Sequence, residues 1–209
     1  MNPIVEMSRV SLVIFVMAVL VVGCTTTPEP VEETAPAPEQ EEGVEESADD
    51  EYTLGDQGPA GGHIFYVDED NAYDWTYLEA APSGWHGEDA DPRVAWGEVG
   101  VEVGADGVDV GTGQSNTEAA LGHSDEYAAA LAAQAVVNGF DDWFLPSEAE
   151  MYLIYVNLVR QGEGGLAEES YWSSTERNPD RAMVIGIGTG GKISGMKDNE
   201  YRIRPIRAF

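Results

Sequence analysis

Between Thr25 and Glu51 the chain reads TTTPEPVEETAPAPEQEEGVEESADDE, and this stretch limits where a core can form. It has almost no large apolar side chain, it repeats proline, and it carries dense carboxylates with no Lys or Arg. Such a segment cannot offset its ordering entropy by burial, so it is expected to be an extended, self-repelling linker. A core must therefore be built from Tyr52 onward, and the remaining length suits one ordinary domain of roughly 100 to 200 residues. The Trp, Tyr and Phe residues are concentrated after Phe65, which gives that domain enough apolar bulk. Cys24 is the single cysteine, which excludes an internal disulfide, a cysteine-based zinc site and a resolving cysteine pair. Stability has to come from packing.

The formal net charge of -29 should repel DNA, RNA and anionic lipid head groups, so a nucleic-acid role is excluded on electrostatic grounds. The basic residues lie almost entirely between Arg160 and Arg207, far in sequence from the acidic linker.

Residues 1–23 read as a secretory signal: Arg9 supplies a positive end, Val10 to Val22 is an apolar run, and small Gly23 precedes Cys24. The alternative is an uncleaved membrane anchor, but the apolar run is shorter than the roughly 20 residues a spanning helix needs. Val21-Val22-Gly23-Cys24 resembles the bacterial lipobox, which implies diacylglyceryl transfer to the Cys24 thiol, cleavage before it and acylation of the new amino terminus. Two or three acyl chains anchor stably, where one holds only marginally. Thr25, rather than Asp, resembles the pattern sent to the outer membrane in enteric bacteria. The expected location is the cell envelope, at the outer membrane or cell surface rather than the inner membrane, with residues 24–51 as tether and 52–209 as domain.

The domain opens on a turn-rich stretch, Gly55 to Gly62, whose GPAGG piece looks like collagen but does not repeat, so a triple helix is excluded. His63 to Val67 and Trp75 to Ala81 read as a hairpin. Pro82 to Gly113 is rich in Gly and Asp and lacks sustained periodicity, which predicts long loops pinned by Trp85 and Trp96. Ser124 can cap a helix through Val137, with Ala128, Leu131, Ala132 and Ala135 on one face and Asn138-Gly139 as the stop. Ser147 to Arg160 carries a capping box, Ser147 with Glu150, and an apolar stripe at Met151, Ile154, Tyr155 and Leu158. Tyr171 to Ser174 is strand-like, Ala182 to Gly188 and Lys192 to Met196 flank Thr189-Gly190-Gly191 as a second hairpin, and Tyr201 to Phe209 reads as a last strand. Pro205 places that strand at an edge or a bulge. The pattern predicts an α+β fold, mainly antiparallel sheet with two helices and long loops.

The run Asp141-Asp142-Trp143-Phe144-Leu145-Pro146-Ser147, then Tyr171-Trp172-Ser173-Ser174 and Arg202-Ile203-Arg204-Pro205-Ile206-Arg207, resembles the DUF1566 family, also called the Lcl C-terminal domain family. Gly55 to Gly62, Gly111-Thr112-Gly113 and Asn116-Thr117 match typical family segments, and the resemblance spans about Tyr52 to Phe209. It implies a C-type-lectin-like fold, related to that of formylglycine-generating enzymes, with both termini together in a sheet, two helices beside it and a loop-rich ligand face. A collagen-like adhesin among the relatives suggests glycan binding, and the acidic charge favours a glycan less charged than sulfated polymers.

A formylglycine-generating activity would need cysteines, and none follows Cys24. His63, His86 and His123 are scattered outside any acid-base motif, and His63 in a strand reads as structural. Two acidic loops could hold a hard cation such as calcium: His86, Glu88, Asp89 and Asp91, and Glu102, Asp106 and Asp109. Neither has EF-hand spacing, and Trp172-Ser173-Ser174 stands where calcium-dependent lectins carry a Trp-Asn-Asp motif. Trp85 and Trp96, being in loops, are the tryptophans expected to stack on sugar rings, whereas Trp143 and Trp172 read as core anchors. Arg202, Arg204 and Arg207 either form a local basic patch that binds ligand or pair with nearby carboxylates. The expectation is a non-enzymatic, membrane-anchored ligand-binding lipoprotein, adhesin-like and glycan-binding. The alternative is a structural or envelope-assembly lipoprotein that binds a protein partner.

Overall fold

The computed structural model describes residues 51–123 and 125–209, so Cys24, the signal, the tether and the capping residue Ser124 lie outside the described residues. The described residues fall within one unit, Ser47–Phe209, and form a mixed α+β fold with two sheets.

The first sheet joins the two ends of the domain. Strand β1 (His63–Val67) pairs antiparallel with β2 (Tyr77–Ala80), and β2 pairs antiparallel with β8 (Ile206–Ala208). Gly62, just before β1, passes so close to β2 that a Cβ there would sit 1.9 Å from the Ala80 carbonyl oxygen. That approach gives the Gly-rich opening a packing reason. The second sheet has five strands in the order β3 (Arg93–Ala95), β7 (Glu200–Arg202), β4 (Ser170–Asn178), β5 (Arg181–Gly186) and β6 (Gly191–Met196). Its pairs are antiparallel except β4 with β7. The turn between β5 and β6 takes Gly190 at φ 70°, with its Cα close against the Tyr155 ring, so a side chain there would meet both strain and a clash.

Helix α1 spans Gly113–Ala120, α2 Ala128–Ala133 and α3 Glu148–Asn157, with a short 3-10 turn, Val159–Gln161, after α3. The capping box of α3 is formed as read: Ser147 Oγ accepts from the Glu150 N–H, and the Glu150 carboxylate accepts from the Ser147 N–H at 2.7 Å. Met151, Ile154 and Leu158 are fully buried, so the stripe is core. Replacing Ser147 by alanine removes the cap and the hydroxyl's bond to the Asp109 carbonyl. The expected loss is about 1–2 kcal/mol in urea unfolding.

Four sequence expectations are corrected. The helix expected over 124–137 is only six residues long, because Asn138 and Gly139 take positive φ of 50° and 89° and close a tight turn between Val137 and Phe140 instead of a helix end. The loops over 82–113 contain β3, whose pairing with β7 supplies order that its three residues do not encode. A third helix, α1, lies where no apolar period is visible. The single last strand is two, β7 and β8, since the chain leaves the five-stranded sheet at Ile203 and joins the other after Pro205.

Two clusters make the core. Phe65, Leu78, Met151, Ile154, Tyr171, Ile185 and Ile206 tie α3 to both sheets. Trp85, Trp96, Trp143, Trp172, Leu145 and the α2 alanines form the other. No helix among the described residues is long and apolar enough to cross a membrane.

Candidate functional site

The arginines and loop tryptophans turn out to be internal. Arg204 is 1% exposed and grips Asp91 with two parallel bonds, Nε to Oδ1 at 2.9 Å and Nη2 to Oδ2 at 2.8 Å. Its remaining hydrogens reach the carbonyls of Ala81, Gly164 and Gly165. Asp91 also accepts from the Trp85 indole N–H at 2.9 Å and the Tyr171 hydroxyl at 2.7 Å. Burial, followed by the Asp91 charge, raises the Tyr171 pKa far above its ordinary value, so that hydroxyl stays a donor. Trp85 is 9% exposed and Trp96 3%, and Trp96 donates to the Ser173 carbonyl while lying under the Lys197 ammonium. Trp85 and Trp96 therefore do not offer open stacking platforms, and Arg204 cannot touch a ligand.

Arg202 is also engaged, bidentate on Glu169 and bonded to the Asp91 carbonyl. Arg207 holds Asp142 and Glu79 with its guanidinium over the Phe140 and Phe209 rings. Pairing with carboxylates, not a basic patch, is what these residues do. The Glu169 carboxyl is held below the ordinary carboxylate range, first by its hydrogen bond from Arg202 and then by the Arg202 and Arg93 charges, against some desolvation. A depressed folded-state pKa means stability present above the ordinary Glu range and lost as pH falls through the depressed value. An NMR titration should place the Glu169 midpoint below that of a free glutamate, and Arg202→Ala should move it up toward the ordinary range, with Arg93 holding back the remainder.

The acidic loops do not converge. Among the described residues no group of three or more His, Cys, Asp or Glu side chains is placed to hold a metal ion. Glu102, Asp106 and Asp109 are exposed, and Asp91 is drawn into the core by Arg204, away from exposed Glu88 and Asp89. His63 bonds the Gly55 carbonyl through Nδ1, the structural role expected of it.

Open space lies elsewhere. A groove of about 640 Å³ runs beside the hairpin, lined by Tyr52, Tyr66 and Tyr77, by Glu51 and Glu69, and by Asn157 among others. Tyr66 and Tyr77 come from β1 and β2, Asn157 from the end of α3, and Tyr52 from the segment before the hairpin. Tyr52 packs edge-on to Tyr77 at 5.3 Å, and its N–H donates to the Tyr77 hydroxyl. Tyr66 meets Trp75 and Tyr73 edge-on, and those two rings stack on each other at 4.3 Å. Asn157 is fixed by its bond from Nδ2 to the Phe65 carbonyl. The groove thus offers rigid aromatic rings, two exposed carboxylates and an oriented amide. Such a set stacks on an apolar sugar face and accepts from hydroxyls.

Two shallower hollows of about 380 and 320 Å³ adjoin Trp85 and share Val136, which is 68% exposed. His86, 5.2 Å from the Trp85 ring, lines the larger, and its buried Nδ1 has no hydrogen-bond partner among the described residues.

The tyrosine groove was missed by sequence reasoning. The available signal was the density of aromatic rings from Tyr52 to Tyr77, six in 26 residues. A scan of known protein families gives no match to this chain, and a search of curated proteins gives none.

Proposed function

We propose that this chain is a non-enzymatic lipoprotein, anchored through Cys24, that holds a glycan-binding domain of the DUF1566 type and C-type-lectin-like fold at the outer membrane or cell surface. The observation that carries the reading is the groove walled by Tyr52, Tyr66 and Tyr77 with Asn157 and two free-standing carboxylates. The sheet built from both ends of the domain is the arrangement the family resemblance implies, and so supports it. The buried ionisable groups Asp91, Glu150, Glu176, Lys197 and Arg204 bind backbone or one another rather than line the groove or the hollows beside Trp85, which favours binding over catalysis. The test is a glycan array probed with the full-length chain in non-ionic detergent and with its Tyr66→Ala variant. Signals that Tyr66→Ala abolishes are expected; no signal from any glycan would overturn the reading.

A second reading, docking of an envelope protein, is favoured by the exposed Val136 beside the Trp85 hollows. A photo-crosslinker at Val136 in cells would trap that partner, whereas the glycan reading predicts no discrete adduct there.

A further inference from the structure

Resting on that glycan reading, we propose that the sugar bound in the tyrosine groove is cationic: an oligosaccharide carrying free amines rather than a neutral or acidic one. The lining contains Glu51 and Glu69 and no Lys or Arg, so nothing in its wall neutralises the two carboxylates. Among the described residues neither glutamate has a hydrogen bond or ion pair, in contrast to Glu79, Glu148, Glu150, Glu169 and Glu176, each of which has one. The negative potential extends to the aromatic wall. The Tyr66 hydroxyl is held above its ordinary pKa by burial first and then by Tyr73, Asp68 and Asp70, so it remains a neutral ring. The three tyrosine rings offer electron-rich faces to an ammonium group, and cation–π attraction adds to the Coulomb term. The net charge of -29 raises the local concentration of cations and lowers that of anions around the whole molecule. A sugar amine satisfies all three features at once, since its ring stacks while its ammonium meets a carboxylate. An N-acetylated sugar would stack but leave Glu51 and Glu69 without a counter-charge.

The experiment is calorimetric titration of the full-length chain, in non-ionic detergent at mildly acidic pH, with a glucosamine tetramer and separately with its fully N-acetylated counterpart. The amine form should bind about tenfold more tightly, near the upper end of one exposed ion pair plus a cation–π contact. Glu51→Gln with Glu69→Gln, two exposed positions, should reduce that preference to about twofold by weakening the amine form more than the N-acetylated one, and added salt should erode the preference in the native chain. Equal or tighter binding of the N-acetylated tetramer, abolished by Tyr66→Ala, overturns the cationic specificity and leaves the glycan groove standing. Failure of both sugars, joined to a blank array, overturns the groove reading itself.

Discussion

Replacing Asp91 by alanine should lower the stability of the domain by about 3–5 kcal/mol, the usual consequence of breaking a buried ion pair from one side. Arg204 would be left as an unpaired charge at 1% exposure. Two further donors, the Trp85 indole and the Tyr171 hydroxyl, would lose the acceptor they share. The three carbonyls around Arg204 cannot replace a carboxylate. Urea unfolding reads the loss directly. Arg204→Met in the Asp91→Ala background should restore part of it, because removing both charges is far less damaging than removing one. Arg93→Ala, at a pair that is largely solvent-exposed, should change stability by no more than about 0.5–1 kcal/mol.

Trp172→Ala is expected to cost about 3–5 kcal/mol, the range for truncating a large core ring. Trp172 is fully buried in β4, where its ring meets Tyr201 edge-on at 4.7 Å and its N–H donates to the Val94 carbonyl. The ring also closes over Gly195 of β6, where an added Cβ would lie 2.8 Å from it, so one side chain ties together β3, β4, β6 and β7. Trp172→Phe should retain most of the packing and lose the hydrogen bond, with a cost nearer 1–2 kcal/mol. Thermal unfolding of the two variants side by side separates ring volume from the N–H contact.

What could be read from the residues follows from how local the cause is. The first hairpin and α3 were legible because alternation, turn residues and a capping box all lie within a few positions of the structure they create. Helix α1 was not, because it is held by distant polar partners: Thr117 bonds the Leu145 N–H and Asn116 bonds the backbone of Gly107. Asn138-Gly139 is ambiguous on its own, since the same pair ends helices and closes hairpins. The choice was made by the Val137 to Phe140 bridge and by the bond from Asn138 Nδ2 to the Ala60 carbonyl. Trp85 sits in a loop, as the sequence implies, yet the loop folds inward because Asp91 collects four donor atoms from three residues there. A sequence shows that an arginine and an aspartate are present; it does not show that they meet across 113 positions. The groove was hidden for a related reason, because Tyr52, Tyr66, Tyr77 and Asn157 are brought together only when the hairpin packs on α3.

The proposed ligand binds at the tyrosine groove and not at the loop tryptophans. The most direct measurement is NMR chemical-shift mapping of the isotopically labelled chain, titrated with the strongest glycan from the array. Shifts are expected to concentrate at Tyr52, Tyr66, Tyr77 and the Asn157 side-chain amide, with the Trp85 and Trp96 indole N–H signals unmoved. Shifts centred on Trp85, His86 and Val136 with a silent groove would contradict that expectation.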